Sequence, residues 1–497
     1  MSALSIRASL VLGACAACVA MPAIAGGDPD AWKNPLPEQP AAVVLRHATV
    51  WTSGPQGTLE DADLLVQKGK VVAVGKGLQA PAGAVELDAT GKHVTPGLID
   101  CHSHAAVVGD VNEGTHITTS EVRIRDVVNS ESINLYRELA GGLTAANLLH
   151  GSANSIGGQN AVIKLRWGAS PDELLLAGAP EGIKFALGEN PKQSNWGAAG
   201  KRYPQTRMGV EQSIRERFLA AVDYRRAWAE YEKNPKTDKV PPKRDLQLDA
   251  IVEILDGKRL VHSHAYRADE MLMLMRLAEE FGFRVATFQH VLEGYKIADE
   301  MKAHGVGGST FSDWWAYKYE VIDAIPYNGA LMTQRGVVTS FNSDDSELAR
   351  RLNIEAAKAV RYGGLSETEA LKLVTINPAI QLHVQNMVGS LEKGKDADFV
   401  VWNGNPLSTY SLAEQTWIDG RKYFDRAADL AQRKQLADER AALIAKTKEK
   451  GAKAKQGAES KTPAYLLWSD NADAACRDDR RGHSVFDSGL DLEEVRQ

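Results

Sequence analysis

Short apolar runs alternate with amphipathic stretches between residues 94 and 341. Helical spacing of the apolar positions is clearest in residues 268–282, 293–305 and 353–364. The repeated order of strand then helix predicts an α/β fold, a (β/α)8 barrel of the TIM type rather than a doubly wound sheet. In such a barrel the active site lies at the C-terminal ends of the strands. The eight apolar runs that read as strands end at Asp100, Leu149, Leu165, Ala186, Val261, Phe288, Thr310 and Phe341.

The two flanks of that region show a different pattern. Residues 41–93 and 385–427 alternate apolar and polar positions with a period of two, broken by Gly and Pro turns. This predicts a smaller, discontinuous β-sandwich domain built from both chain ends, with the barrel of residues 94–384 inserted between them. Residues 428–497 are charged and lack a wide apolar stripe, which predicts a solvated helix grading into a flexible tail.

The first 25 residues predict a signal peptide. Arg7 precedes an apolar stretch at residues 8–20, and Ala23-Ile24-Ala25 offers a small-x-small cleavage site. The stretch is too short for a stable membrane-spanning helix, so no transmembrane segment is expected after signal removal. The protein is therefore expected to be exported, either periplasmic or secreted. Lipoprotein anchoring is the alternative, because residues 12–15 resemble a lipobox ending at Cys15.

Charge and cysteine content narrow the class of partner. The formal net charge of −6 gives no global basic surface, so a small-molecule substrate is expected and nucleic acid is not. Cys15 and Cys18 lie in the predicted signal, so no disulfide framework is expected from the remaining Cys101 and Cys476, and Cys101 is interpreted as a packing residue. The long polar segment 193–249 is expected to cover the pocket or to contact a neighbouring subunit of a homo-oligomer.

Residue types that bind metals stand at the ends of five predicted strands. His102 and His104 are two residues apart, so their side chains point the same way and can share one ion. Lys184 lies inside an apolar strand, where burial of an ammonium group is costly unless the group is neutralised or used. Each of these residues has an ordinary interpretation when taken alone, but together they indicate a metal centre. The remaining strand ends carry His262 with His264, His290, and Asp344.

Taken with the segments around NPA (377–379) and VGSLEKGKDADFVVWNGNP (388–406), the run VTPGLIDCHSH (94–104) resembles the amidohydrolase superfamily, particularly its exported imidazolonepropionase-like and Xaa-Pro dipeptidase-like members. The resemblance implies two divalent metal ions, for which Zn²⁺ suits the ligands best. It also implies that CO₂ converts Lys184 into a bridging carbamate. His262 aligns best with the usual ligand on the fifth strand, which makes His264 a substrate contact, although the spacing also permits the reverse. The implied ligands are His102, His104, Lys184 and Asp344 on one ion, and Lys184, His262 and His290 on the other.

The resemblance further implies an enzyme that hydrolyses an amide C–N bond in a dipeptide, an N-acyl amino acid or a cyclic amide. A metal-bridging hydroxide would attack the carbonyl, and Asp344 would carry the proton to the leaving nitrogen. Two alternatives stay open: a deaminase of a small heterocycle, which Ala265 disfavours because a glutamate is usual there, and a catalytically silent binding barrel. The aromatic run at 312–320 either lines a pocket or packs against a helix. Candidates for holding a substrate carboxylate are Tyr266, Arg267, Arg207, Lys201, Arg202 and Tyr203.

Overall fold

The computed structural model describes residues 35–192, 202–233, 240–314 and 318–454. The chain separates into two compact units, Met1–Pro35 and Leu36–Gln497, and all the described strands and helices belong to the second unit. The predicted signal peptide, Lys201, Cys476 and the end of the predicted tail lie outside the described residues. Within the described part of the chain, no helix is both long enough and apolar enough to cross a membrane.

Sixteen strands form two eight-stranded sheets in the described residues. Five strands come from the N-terminal flank: β1 (Ala42–Trp51), β2 (Thr58–Gln67), β3 (Lys70–Gly75), β4 (Val85–Asp88) and β5 (His93–Pro96). Eight strands follow in the central region: β6 (Leu98–Ser103), β7 (Leu143–Leu148), β8 (Ile156–Lys164), β9 (Glu181–Ala186), β10 (Arg259–His264), β11 (Val285–Gln289), β12 (Gly307–Thr310) and β13 (Thr339–Phe341). Three more complete the set: β14 (Phe399–Trp402), β15 (Ala413–Ile418) and β16 (Arg421–Asp425).

The central strands β6 to β13 form a barrel sheet in chain order. The ends of β6 and β13 meet, because the Asp344 N–H donates to the carbonyl of His102 at 3.1 Å. The predicted strands are present, and the sheet fits a TIM-type barrel with one difference. β8 runs antiparallel to both β7 and β9, so Lys164 and Leu165 lie at the end of the barrel opposite to the C-terminal ends of the other strands. The prediction that all eight strands end at one face is therefore wrong for the third.

The second sheet combines strands from both flanks, in the order β16-β15-β14-β5-β1-β2-β3, with β4 also paired to β1. The sheet is mixed rather than purely antiparallel, because β4 and β5 both run parallel to β1. Barrel and second sheet belong to the same compact unit. The prediction of a separate sandwich domain with its own boundaries is not confirmed and stays a prediction.

Twelve α-helices are present in the described residues. Those after β6 and β8 are short: α1 (Ile133–Leu139) and α2 (Pro171–Leu174). The segment between β9 and β10 holds α3 (Arg207–Lys233) and α4 (Leu246–Leu255). The others are α5 (Ala268–Phe281), α6 (Ala298–His304), α7 (Asn328–Arg335), α8 (Ser346–Ala349), α9 (Leu352–Gly363), α10 (Glu367–Lys372), α11 (Ile376–Gln381) and α12 (Arg426–Ala454). The predicted solvated helix corresponds to α12, whose described side chains are mostly exposed.

Alternation along β9 positions the site. Ile183 and Phe185 lie in one hydrophobic core with Phe218 of α3. Because successive side chains of a strand point to opposite faces, Lys184 points away from these helices, into the barrel. His262 of β10 is the direct neighbour of Lys184 in the strand register, so it shares that face, as does His264 two residues later. Because the apolar side chains of these strands pack against the outer helices, the polar side chains between them point into the barrel.

Candidate active site

The side chains of His102 and His104 converge on the carboxylate of Asp344. His102 Nε2 is 3.2 Å and His104 Nε2 is 3.1 Å from Asp344 Oδ1. His104 Nδ1 donates to the carbonyl of Leu149 at 2.8 Å, which directs its Nε2 at Asp344. The His102 side chain is 1% exposed, whereas those of His104 and Asp344 are 24% and 30% exposed. The cluster is therefore buried below and open on the side of His104 and Asp344.

His290 approaches the same carboxylate from the end of β11. Its Nε2 is 3.7 Å from Asp344 Oδ2, and its ring centroid is 4.5 Å from that of His102. Both His290 and Asp344 have left-handed backbone conformations, with φ of 67° and 51°. Such conformations are strained for residues other than glycine and persist where the surrounding structure imposes them, often at functional sites. Here they turn both side chains toward the centre of the cluster.

Lys184 is fully buried beside these groups. Its Nζ lies 3.4 Å from His102 Nε2 and donates to the carbonyl of His150 at 3.2 Å. Burial lowers the pKa of Lys184 to about 8, and the charge of Asp344 only partly opposes this effect. The neutral amine is therefore a minor form at neutral pH and becomes a substantial fraction at mildly alkaline pH.

The two histidines of β10 occupy different levels of the barrel. The ring centroid of His264 is 4.8 Å from that of His290 and 4.5 Å from that of Tyr266. His262 precedes it by two residues and lies level with the backbone of Lys184, deeper in the barrel. Burial lowers the pKa of His262 to about 3, and its Nδ1 has no hydrogen-bond partner among the described residues. The structure thus brings His264 next to His290.

His150, directly after β7, was not recognised in the sequence as a structural residue. Its Nε2 accepts the N–H of Glu113 at 2.9 Å, and its Nδ1 donates to the carbonyl of Gly151 at 2.9 Å. Both ring nitrogens are therefore occupied, and burial lowers its pKa to about 4. His150 fixes the loop that follows β6 and offers no lone pair to a metal. The sequence carries no signal for this, because the partners are backbone atoms of a distant loop.

Arg207 is engaged in ion pairs and does not present a free charge to a substrate. Its guanidinium contacts Glu270, approaches Glu320 at 3.2 Å, and lies 3.6 Å from Glu189. Arg202 donates to backbone carbonyls of three loops, including those of Gly114 and Ala153. The role of these two arginines in holding a substrate carboxylate stays a prediction.

Tyr266 remains close to the metal-ligand candidates. Its ring centroid is 5.7 Å from that of His290, and Lys318 Nζ lies 4.3 Å above the same ring. The aromatic run after β12 approaches the site through Phe311, the residue before it. Phe311 stacks on His290 at 4.9 Å, and Trp314 of the run stacks on Phe311 at 4.0 Å. Residues 315–317 of that run lie outside the described residues.

The electrostatics of the cluster fit a bound cation. Burial and then the charge of Lys184 lower the pKa of His102 well below its usual value, and burial lowers that of His290 to about 3. Although burial opposes ionisation, His290, His104 and Lys184 hold the pKa of Asp344 at about 2. Neutral imidazoles and a carboxylate therefore face one another in a buried space. Ligand atoms of His102, His290 and Asp344 lie within 4.8 Å of one another, an N and O donor set that suits a divalent metal.

Comparison with known proteins identifies the family. The profile of the amidohydrolase family matches residues 93–423. Because this match covers well over half of the chain, the protein belongs to the amidohydrolase family. A solved structure, an amidohydrolase from Thermotoga maritima, shares 34% identity with a TM-score of 0.71 and covers 77% of this chain and 100% of its own.

Two curated relatives give similar coverage of this chain. Amidohydrolase tasK from Hapsidospora irregularis is 30% identical over 426 residues, which is 77% of this chain but 43% of that protein. This chain thus spans less than half of the length of that relative. Imidazolonepropionase from Deinococcus radiodurans is 25% identical over 375 residues, 70% of this chain and 86% of its own length.

Proposed function

We propose that this protein is a metal-dependent hydrolase that cleaves an amide C–N bond. The observation that carries the proposal is the convergence of His102, His104 and His290 on the carboxylate of Asp344 at the C-terminal ends of the barrel strands. Catalytic residues of barrel enzymes are characteristically found at this end. The amidohydrolase profile, which spans the same residues, supports the same reaction class.

Two divalent ions, most suitably Zn²⁺, would be held by His102, His104, Lys184, His264, His290 and Asp344. We assign the ligand on β10 to His264 rather than His262, because the ring of His264 is the one beside His290. His262 then serves as a buried neighbour of Lys184 below the ions. Its low pKa keeps it neutral there.

Lys184 would act as a bridging ligand after carboxylation. Its neutral amine adds to CO₂, forming a carbamate and releasing one proton, and the pKa of about 8 makes that amine available at neutral to mildly alkaline pH. The carbamate replaces a cation by an anion in a space that already contains several neutral imidazoles. The divalent ions would compensate this buried anion, and its two oxygens would be ligands for them.

When bound, the divalent ions would supply a coordinated water with a pKa lowered toward about 7 and a positive charge for the substrate carbonyl. Asp344 stays ionised because its pKa is about 2, so it can accept the proton of the attacking water. Its partly exposed side chain can then return that proton to the leaving nitrogen. Tyr266 and the stacked rings of Phe311 and Trp314 border the site on the side of His290, where they would contact the substrate.

The substrate class proposed is a dipeptide, an N-acyl amino acid or a cyclic amide. Export to the periplasm or secretion, and assembly into a homo-oligomer, remain proposals that rest on the sequence.

A substrate library tests the activity directly. Dipeptides, N-acyl amino acids and hydantoins would be incubated with protein loaded with Zn²⁺ in bicarbonate, and cleavage products would be identified by mass spectrometry. Metal per chain would be measured in parallel, with close to two ions expected. In Lys184→Ala at least one ion and the activity should be lost, and short carboxylic acids should partly restore both. Ammonia release without chain cleavage would instead indicate a deaminase.

A further inference from the structure

Asp100 lies two residues before His102 and is completely buried. Its Oδ1 accepts two backbone hydrogen bonds, from the N–H of His102 at 3.1 Å and from the N–H of Ser343 at 3.1 Å. Its Oδ2 accepts a short hydrogen bond from the hydroxyl of Ser343. The Asp100 carboxylate thus contacts His102, a candidate metal ligand on β6, and Ser343, which directly precedes Asp344.

These bonds lie at the seam where the two ends of the barrel sheet meet. β6 and β13 are the two ends of the sheet order, and no strand ladder joins them within the described residues. β13 has only three residues, and the hydrogen bond from Asp344 N to the His102 carbonyl is a single backbone link between the two ends. Side chains from both ends belong to the metal site. A small shift along this seam would therefore change the distance between His102 and Asp344.

We propose that Asp100 is a positioning residue that joins the ends of β6 and β13 and thereby sets the geometry of His102 and Asp344 for metal binding. The inference rests on the proposed metal-dependent function. Asp100 itself would contact neither the ion nor the substrate. Ser343 is its partner, because it contributes both a backbone and a side-chain donor to the same carboxylate.

An alternative role for Asp100 as half of an ion pair has no support. No Lys, Arg or His side chain within the described ranges forms a salt bridge with it. Glu138 of α1 is also fully buried, and its two carboxyl oxygens have no hydrogen-bond partner in the described part of the chain. The partners of the Asp100 carboxylate are three donors, one from His102 and two from Ser343. Three hydrogen bonds to one buried carboxylate restrain both strand ends relative to each other, which suits a positioning task.

The test compares Asp100→Ala, Asp100→Asn and Ser343→Ala with wild type. Asp63 provides a control for removal of a buried aspartate, because it also accepts backbone N–H bonds, from His47 and Leu78, but lies in the second sheet and additionally pairs with Arg46. The affinity for Zn²⁺ would be measured by competition with a chromophoric chelator. Circular dichroism would establish folding, and kcat and KM would be measured on the best substrate.

Asp100→Ala should weaken Zn²⁺ binding about 10- to 100-fold, as is typical when a partner behind a metal ligand is lost. Ser343→Ala should weaken it less, because the backbone donor of Ser343 remains. Asp100→Asn should recover most of the affinity and of kcat, since its amide oxygen can still accept both N–H groups. KM should change much less than kcat, and Asp63→Ala should bind Zn²⁺ as wild type does.

A folded Asp100→Ala variant that binds Zn²⁺ as tightly as wild type would overturn the positioning role and leave the proposed function standing. If Asp100→Ala does not fold, wild-type affinity in Ser343→Ala would overturn it equally. A wild-type chain that binds no divalent metal would instead overturn the proposed function, and this inference with it.

Discussion

Two neighbouring aspartates after β13 have different tasks because the backbone aims them differently. Asp344 has a left-handed conformation with φ of 51°, and its carboxylate faces three histidines. Asp345 is extended, and its side chain accepts the N–H of Leu348 at 2.7 Å as the N-cap of α8. Asp345 directly precedes this helix, the position at which a capping aspartate is favoured.

Asp344→Asn should lower kcat on the order of 10²-fold or more, because an amide cannot accept the proton. Asp345→Asn should remain close to wild type, since asparagine caps helices as well as aspartate does, whereas Asp345→Ala should cost about 0.5–2 kcal/mol of stability. Steady-state kinetics and thermal unfolding measure the two effects. A larger loss of kcat in Asp345→Asn than in Asp344→Asn would contradict the assignment.

His262 and His264 have the same orientation on β10 but lie at different depths in the barrel. The two histidines are two positions apart on one strand, so both side chains point into the barrel. The sequence does not show how deep in the barrel each one lies. Packing against β11 decides this, since it places the ring of His264 beside His290.

His264→Asn should therefore lose metal, while His262→Asn should retain the ions at close to the wild-type number per chain. Elemental analysis of the purified, folded variants measures the difference. Circular dichroism of both variants is the control, because each removes a buried ring. Retention of two ions in His264→Asn together with loss in His262→Asn would reverse the assignment.

At the scale of elements, apolar runs were sufficient to locate the barrel strands but not to give the direction of β8. The run ending at Leu165 looks like any other buried strand. A signal was nevertheless present: only residues 149–155 connect β7 to β8, and a parallel crossover needs a dozen or more residues. A short connection rich in Gly, Ser and Asn predicts an antiparallel pair. The connection from β8 to β9 is longer but joins the second antiparallel pair, whereas the connections from β9 onward leave room for the helices or loops that a parallel return requires.

The reversed β8 has a consequence for Lys164. It places this fully buried side chain at the end of the barrel away from the active site, where Nζ is 2.7 Å from Asp396, 2.9 Å from Asp398 and 2.6 Å from Asp419. These aspartates precede β14 or connect β15 to β16. The barrel and the second sheet are thus linked by a buried ion cluster. Despite burial, the aspartates raise the pKa of Lys164 above its usual value.

Lys164→Met should lower the free energy of unfolding by about 3–5 kcal/mol, because removing one partner leaves buried carboxylates uncompensated. Denaturant unfolding measures this loss. The metal content and kcat of the folded fraction should stay at wild-type values, since the cluster lies at the opposite end of the barrel. Loss of metal in folded Lys164→Met would contradict that separation.

At the scale of the molecule, the sequence indicated that both flanks contribute strands to one sheet, because each alternates with a period of two. It did not indicate that β4 and β5 pair parallel to β1, since such pairing is decided by contacts distant in sequence.

The surroundings of Arg207 could not be predicted from the sequence for a similar reason. Its three acidic partners come from the connection after β9, from α5 and from a 3-10 turn at Tyr319–Val321. Their meeting follows only from the closed barrel.

This network at the barrel mouth should make stability depend on pH. Glu270 is 6% exposed, and burial followed by the charge of Glu320 raises its pKa to about 7, with Arg207 acting in the opposite sense. The folded chain therefore holds a proton on Glu270 between about pH 4.5 and 7, where the unfolded chain has already released it. Stability contributed by this group is present below pH 4.5 and is lost as the pH rises through 7.

Glu270→Gln cannot lose that proton, so its stability relative to wild type should increase from pH 5 to pH 8, by at most about 3 kcal/mol. Denaturant unfolding at several pH values, with a metal chelator present, measures the difference in the free energy of unfolding between variant and wild type. The chelator removes any contribution from bound ions. Glu280→Gln is the matched control, because Glu280 lies on the same helix but is 54% exposed. Its difference from wild type should stay nearly constant over this range. A flat profile for Glu270→Gln would show that Arg207 keeps Glu270 ionised and that the mouth is held by charge pairs alone.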